Sequence, residues 1–214
     1  MTSFGWEYLP PLIRGAKLTV FLCVTSGAIG SVLGLILGIA RTSPSRVARW
    51  ISAVYINFLR GQPVLIILLF MYFAIPLLFP AVTFPRAFTA ILGLSIYAAA
   101  YIGEIFRGSI EAIPKGQEEA ASALGMHYFL KSWYVILPQA MKIVVPSWIN
   151  FLISLVKASA LVSVIGYIEL ARAGRIVSTN TQEPLTTFLV VAALYFIISY
   201  PVSLLGRWYE RRLA

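Results

Sequence analysis

Between Leu18 and Ala40 the chain runs through 23 residues without one charged side chain. Wound as an α-helix at ~1.5 Å per residue, this run reaches about 35 Å, enough to cross a ~30 Å hydrocarbon core. It sets the solvent for the rest of the reading. Apolar residues make up 59% of the 214 and charged residues 12%, against about 45–50% and about 25% in soluble domains. A soluble chain of this length has no core large enough to hide so much hydrocarbon, whereas a bilayer does.

Four more apolar segments follow, at 51–79, 87–106, 143–166 and 185–205, after a first at 18–40. In the second, Ile51–Leu59 leads through Arg60–Gly61–Gln62–Pro63 into Val64–Phe79. The expectation is an all-α, polytopic membrane protein with about five spans. It forms one domain over 1–214, without internal repeats or linkers. The first run is longer than the apolar stretch of a secretory signal and lacks a small-residue cleavage site after it, so it reads as the first span.

Lys and Arg in the short connections set the orientation. With the N-terminus outside, the inside segments hold Arg41, Arg46, Arg49, Arg107, Lys115, Lys131, Lys142, Arg207, Arg211 and Arg212. The outside segments hold only Arg14, Lys17, Arg86, Arg172 and Arg175. This bias predicts N-outside and C-inside, in keeping with an odd number of spans. It also accounts for the net charge of +9 without a nucleic-acid partner, for which no motif exists. Gly30, Gly34 and Gly38 recur every four residues in the first span, a stripe on which another helix packs closely in lipid.

The chain is poor in reactive groups. It has one His, one Cys and no Asp, its eight acids all being Glu, so neither a metal site nor a hydrolytic centre is expected. No phosphate-cradling G-x-x-x-x-G-K-[ST] loop is present. Cys23, alone in an apolar run, reads as a packing residue.

The inside connection, 107–141, carries the most specific pattern. Pro114 and Gly116 break the chain, Glu118 and Glu119 fall in a first helical turn where the dipole favours anions, and Ala120, Ala121, Ala123 and Leu124 propagate the helix. Gly125 is placed to end it. A helix this short cannot stand alone and must dock on something.

The residues Glu119–Ala120–Ala121, then Gly125, then Val135–Ile136–Leu137–Pro138 resemble the E-A-A-x-x-x-G-x₉-I-x-L-P signature of bacterial ABC import permeases, with Val135 where Ile is usual. Phe58–Leu59–Arg60–Gly61–Gln62–Pro63 resembles the F-x-R-G-x-P element of the polar amino-acid uptake branch. Tyr101 to Gly108 resembles its Y-x-x-E-x-F-R-G element. The resemblance implies a permease without ATPase activity or cofactor of its own, in a bacterial inner membrane. It would pair with an identical or homologous permease. Two cytoplasmic ATPase subunits would hold ATP and Mg²⁺, and an extracytoplasmic binding protein would deliver the solute. The helix around Glu118–Gly125, with Leu137 and Pro138 behind it, would be the coupling helix between spans 3 and 4.

Charged groups inside a bilayer call for partners. Arg60, Glu104 and Arg107 lie near cytoplasmic span ends, as structural ion pairs or as a gate. Ser95, Tyr97 and Tyr101, with Lys157, Ala158 and Ser159, are the expected lining of the path; interhelical hydrogen bonding is the alternative. Relatives for basic amino acids often carry an acid at the position of Ala158, so neutral or acidic amino acids are favoured here. Glu169, Arg172 and Arg175 read as solvated charges outside, or as a contact for the binding protein. Other readings are a permease for another small polar solute such as an opine, or an ATP-independent carrier or channel.

Overall fold

The computed structural model describes residues 5–80 and 83–213, and those residues form helices and turns with no strand. Helix α1 (Leu9–Thr42) is followed by α2 (Arg46–Arg60), whose N-cap Ser45 accepts from the Ala48 amide at 3.4 Å. At Gly61–Gln62–Pro63 the chain turns through 103° into α3 (Val64–Leu69), a π turn at Phe70–Ala74 and α4 (Ile75–Leu78). Then come α5 (Arg86–Glu111), α6 (Lys115–Ala123) and α7 (Tyr128–Lys131). A second π turn, Ser132–Ile136, leads into α8 (Leu137–Ser159) and a 3-10 stretch, Ala160–Ile165. The chain closes with α9 (Leu170–Thr181) and α10 (Pro184–Leu213).

Both π turns end two residues before a proline, Pro76 and Pro138. Proline cannot donate its i→i−4 bond, and its ring crowds the carbonyl four residues back, so the helix widens there.

Helices α1 and α5 form the axis of the bundle. Gly30, Gly34 and Gly38 face Ala98, Ile102 and Phe106. A Cβ on Gly30 would lie 2.5 Å from that of Ala98, and one on Gly34 2.7 Å from that of Ile102. The stripe therefore serves close approach, as expected. Its partners recur every four residues in the same direction, so α1 and α5 run parallel. Two parallel crossings require a return between them, and only the bent stretch α2–α4 can supply it. That stretch is thus one broken crossing.

The other crossings are placed by contacts of the same kind. Trp148 of α8 donates to Ser31 Oγ at 2.8 Å, and Leu152 and Leu155 lie against Gly27, so α8 is antiparallel to α1. Gly206 of α10 meets Ile149, whereas Val191 meets Gly174 in α9, beyond the end of α8. Hence α10 is antiparallel to α8. The described residues make five crossings, so the start of α1 and the end of α10 lie on opposite sides. Leu22, Leu94, Ile102 and Leu155, all fully buried, fill the space between α1, α5 and α8.

Several boundaries differ from the sequence reading: α1 begins at Leu9 where 18 was expected, and α10 runs to Leu213 where 205 was expected. The second apolar segment, expected as one run at 51–79, is two helices, because Gly61 and Pro63 interrupt it. The connection expected at 107–141 is shorter: α5 continues to Glu111 and the helix entering the fourth crossing begins at Tyr128. Hydropathy marks where a helix meets lipid, and a helix does not stop at that boundary.

Candidate coupling and translocation sites

Every residue of α6 is exposed except Ala121. The helix is held from one side only. Lys131 Nζ donates to Glu118 Oε1 at 2.6 Å and to Ser122 Oγ at 3.4 Å, and Gln139 Nε2 donates to Gln117 Oε1 at 3.1 Å. Gly125 ends it with φ +76, in the left-handed region; the Met126 amide reaches back to Ala121 O and the Gly125 amide to Ser122 O. This is a Schellman closure. No atom lies within 4 Å of a Cβ built on Gly125, so its glycine answers to backbone conformation and not to space. Glu119, Ala120 and Ala123 face outward. Leu137 and Pro138 open α8 behind the helix.

The two charged motifs meet. Arg60 Nη1 lies 3.0 Å from Glu104 Oε1, and Arg107 grips the same carboxylate with two bonds of 2.7 and 2.9 Å. Arg107 also pairs with Glu111, and the Arg60 guanidinium sits 5.6 Å from the centre of the Tyr101 ring. One carboxylate thus ties the end of α2, just before the 103° bend, to α5.

The six expected path residues do not form one surface. Tyr97 and Tyr101, half-buried, lie with ring centres 4.6 Å apart, and Phe151 of α8 stacks on Tyr101 at 5.6 Å. Ala158 packs at the edge of the same cluster. Ser95 and Ser159 are fully buried and donate within their own helices, to Ile91 O at 2.6 Å and Val156 O at 2.7 Å. Lys157 points the other way, into a groove between α8 and α10 lined by Tyr195, Ser199, Ser203 and Arg207. Neighbours on a helix are about 100° apart, so the Lys157–Ala158–Ser159 run cannot present all three side chains to one space.

Residues 30–214 match the family described as binding-protein-dependent transport system inner membrane component. The chain belongs to this family. The permease is 34% identical to the probable amino-acid ABC transporter permease protein YckA of Bacillus subtilis, covering 100% of this chain and 98% of the relative. It is 36% identical to the glutamine transport system permease GlnP of Escherichia coli (97% and 95% covered). The arginine transport system permease ArtQ of B. subtilis is 34% identical (96% and 93%). Among solved structures, an amino acid ABC transporter with histidines superposes with TM-score 0.89 at 34% identity, covering 96% of this permease and 95% of that chain. An inward-facing MetNI methionine ABC transporter does so with TM-score 0.84 at 26% identity, covering 99% and 100%. This is a multi-spanning inner-membrane permease of the ABC transporter class, and its family is one of transport permeases.

Glu169, read from the sequence as a solvated outer charge or a contact for the binding protein, is completely buried. Its two oxygens cap α9, accepting from the Ala171 and Arg172 amides at 2.7 Å each, and Oε2 also accepts from Tyr195 Oη at 2.8 Å. Burial pushes this carboxyl above the ordinary glutamate range, against the pull of those donors. Sequence rules favour Ser, Thr, Asp or Asn at an N-cap and place Glu inside the first turn, so neither this cap nor its tyrosine partner 26 residues on was signalled. Phe151 was missed as well, since nothing in sequence separates an aromatic facing Tyr101 from one facing lipid.

Proposed function

We propose that this permease forms one half of the membrane path of an ATP-driven importer for small polar amino acids. The observation that carries the reading is α6: a short exposed helix, tied to the bundle by Lys131–Glu118 and closed by Gly125, with an outward face that none of the described residues covers. Docking in a cytoplasmic ATPase subunit gives that face its purpose. Two such subunits, holding ATP and Mg²⁺, would move two permeases between outward- and inward-open states. The end of the molecule bearing α6 would then be cytoplasmic, with the N-terminus outside, as the excess of Lys and Arg at that end supports. A binding protein outside would deliver the solute.

Tyr97, Tyr101, Glu104 and Arg107 are half-buried on α5, and the exposed Arg60 at the end of α2 joins them through Glu104 and the Tyr101 ring. We assign the solute path and its inner gate to the face these residues form, with Ala158 at its rim. Among the relatives, GlnP is named for glutamine and ArtQ for arginine. Ala158 and the lack of any Asp leave Glu104 as the carboxylate of this face, and Arg60 and Arg107 already share it; a cationic solute finds no free counter-ion there, which favours neutral or acidic amino acids.

The test is co-purification in mild detergent followed by uptake in proteoliposomes. An ATPase subunit should copurify, and labelled glutamine should accumulate only with ATP and a binding protein. A permease that purifies alone and moves solute without ATP would overturn the importer reading. Arginine preference would overturn the substrate assignment.

A further inference from the structure

A second cavity, of about 1120 Å³, opens between the end of α1, the turn into α2, the end of α5 and the α6–α7 segment. It lies at the level where the uncharged run of α1 gives way to Arg41. Arg41, Arg49, Lys115 and Lys131 line it, against the carboxylates of Glu111 and Glu118. Both carboxylates are engaged already, with Arg107 and Lys131. Arg49 donates to the Ser43 and Pro44 carbonyls at 2.6 and 2.9 Å, which hold its position but not its charge.

The described residues contain three buried side-chain polar atoms without a hydrogen-bond partner, and two of them, Arg41 Nε and Ser43 Oγ, belong to residues lining this cavity. Buried donors are rarely left unpaired. Arg41 feels the charge of Glu104, but it makes no ion pair within 4 Å among the described residues, since Glu104 is taken by Arg60 and Arg107. The remaining wall is apolar, with Ile110, Ile113 and Trp133. Unmatched cations, an unpaired hydroxyl and an apolar wall at headgroup depth together describe one kind of occupant.

We propose that this cavity holds an anionic phospholipid, its phosphate on Arg41, Ser43 and Lys115 and its acyl chain along Ile110, Ile113 and Trp133. The site rests on the reading above only in that this end of the bundle faces the cytoplasmic leaflet, where anionic lipid meets basic residues. Bound there, the lipid would brace the root of α6 against α1.

Native mass spectrometry on the full-length permease, both alone and with its copurified ATPase, would count phosphatidylglycerol and phosphatidylcholine retained after incubation with each. Phosphatidylglycerol should be retained over phosphatidylcholine in both preparations. A cation near such a headgroup is worth about fivefold in binding, so Arg41→Gln with Lys115→Gln should weaken retention roughly 30-fold. Arg212→Gln, outside the cavity, should leave it unchanged. If the double variant does not fold, Lys115→Gln alone carries the test at about fivefold. Equal retention by wild type and the folded variant would overturn the site, as would equal binding of phosphatidylcholine. Release of the lipid by inorganic phosphate would assign the cations to a free anion. Lipid bound to the permease alone but expelled by the ATPase would make the cavity a protein interface. Because retention is also read on the permease alone, failure of the ATPase to copurify would fall on the importer reading and leave the lipid result standing.

Discussion

Arg60 and Glu104 meet at 3.0 Å across the gap between α2 and α5, although 44 positions separate them in the chain. Glu104 serves two guanidiniums at once, so the contact is not a simple exchangeable pair. Glu104→Gln would leave Arg60 without its counter-ion, beside an Arg107 held by Glu111 alone. Uptake should fall at least tenfold, with a loss of a few degrees in thermal unfolding, taken at roughly 2–4 °C per kcal/mol for a chain of this size. Exchanging the charges, Arg60→Glu with Glu104→Arg, should not restore uptake, because the new Arg would face Arg107. Recovery to half of wild type would show that Arg107 plays no part.

Two glycine-to-alanine changes should act in opposite directions on stability. At Gly34 the added methyl meets Ile102 Cβ at 2.7 Å and the Gly103 amide at 3.0 Å. Overpacking of this kind costs about 1–3 kcal/mol. At Gly116 in α6 nothing lies within 4 Å, and alanine should stabilise the helix by up to about 1 kcal/mol. Thermal unfolding of the purified permease in one detergent reads both. A neutral Gly34→Ala would contradict the close α1–α5 packing.

Replacing Gly125 tests coupling apart from folding. Its φ of +76 strains a side chain by about 1 kcal/mol, and asparagine tolerates that conformation better than most residues. Gly125→Asp should insert normally yet lose ATPase copurification and uptake, while Gly125→Asn should keep a measurable part of both. Normal uptake by Gly125→Asp would remove the docking role from α6.

Glu169 offers a pH readout. Its folded carboxyl titrates above the ordinary glutamate value because it is buried. The native state therefore binds more protons than the unfolded one between those two values, and stability falls as pH rises through that window. Glu169→Gln removes the titrating group. Thermal unfolding of wild type should decline across the window while that of the variant stays flat, and parallel curves would place the carboxyl in solvent. Glu169→Ala should be less stable than wild type at every pH, since it strips α9 of its cap and Tyr195 of its acceptor.

The apolar run from Leu18, the glycine stripe and the excess of cations at one set of segment ends are periodic or compositional, so solvent, helix content and the number of crossings were legible residue by residue. The helix at α6 and its glycine stop were legible too, because a proline start, an acidic first turn and a left-handed stop act within one or two turns. Local signals of this kind survive in the order of residues.

Which side chains share a space was decided only by packing. That Glu104 is held from two sides, that Lys157 turns toward α10 while Ala158 joins the tyrosines, and that Glu169 is buried under Tyr195 all depend on rotations of one helix against another. A rotation of about 100°, one residue's step on a helix, exchanges the faces, and hydropathy barely distinguishes a face turned to lipid from one turned to protein. The bend at Gly61–Pro63 became a crossing only because α1 and α5 pack in parallel, Gly34 against Ile102, and the chain between them has to come back.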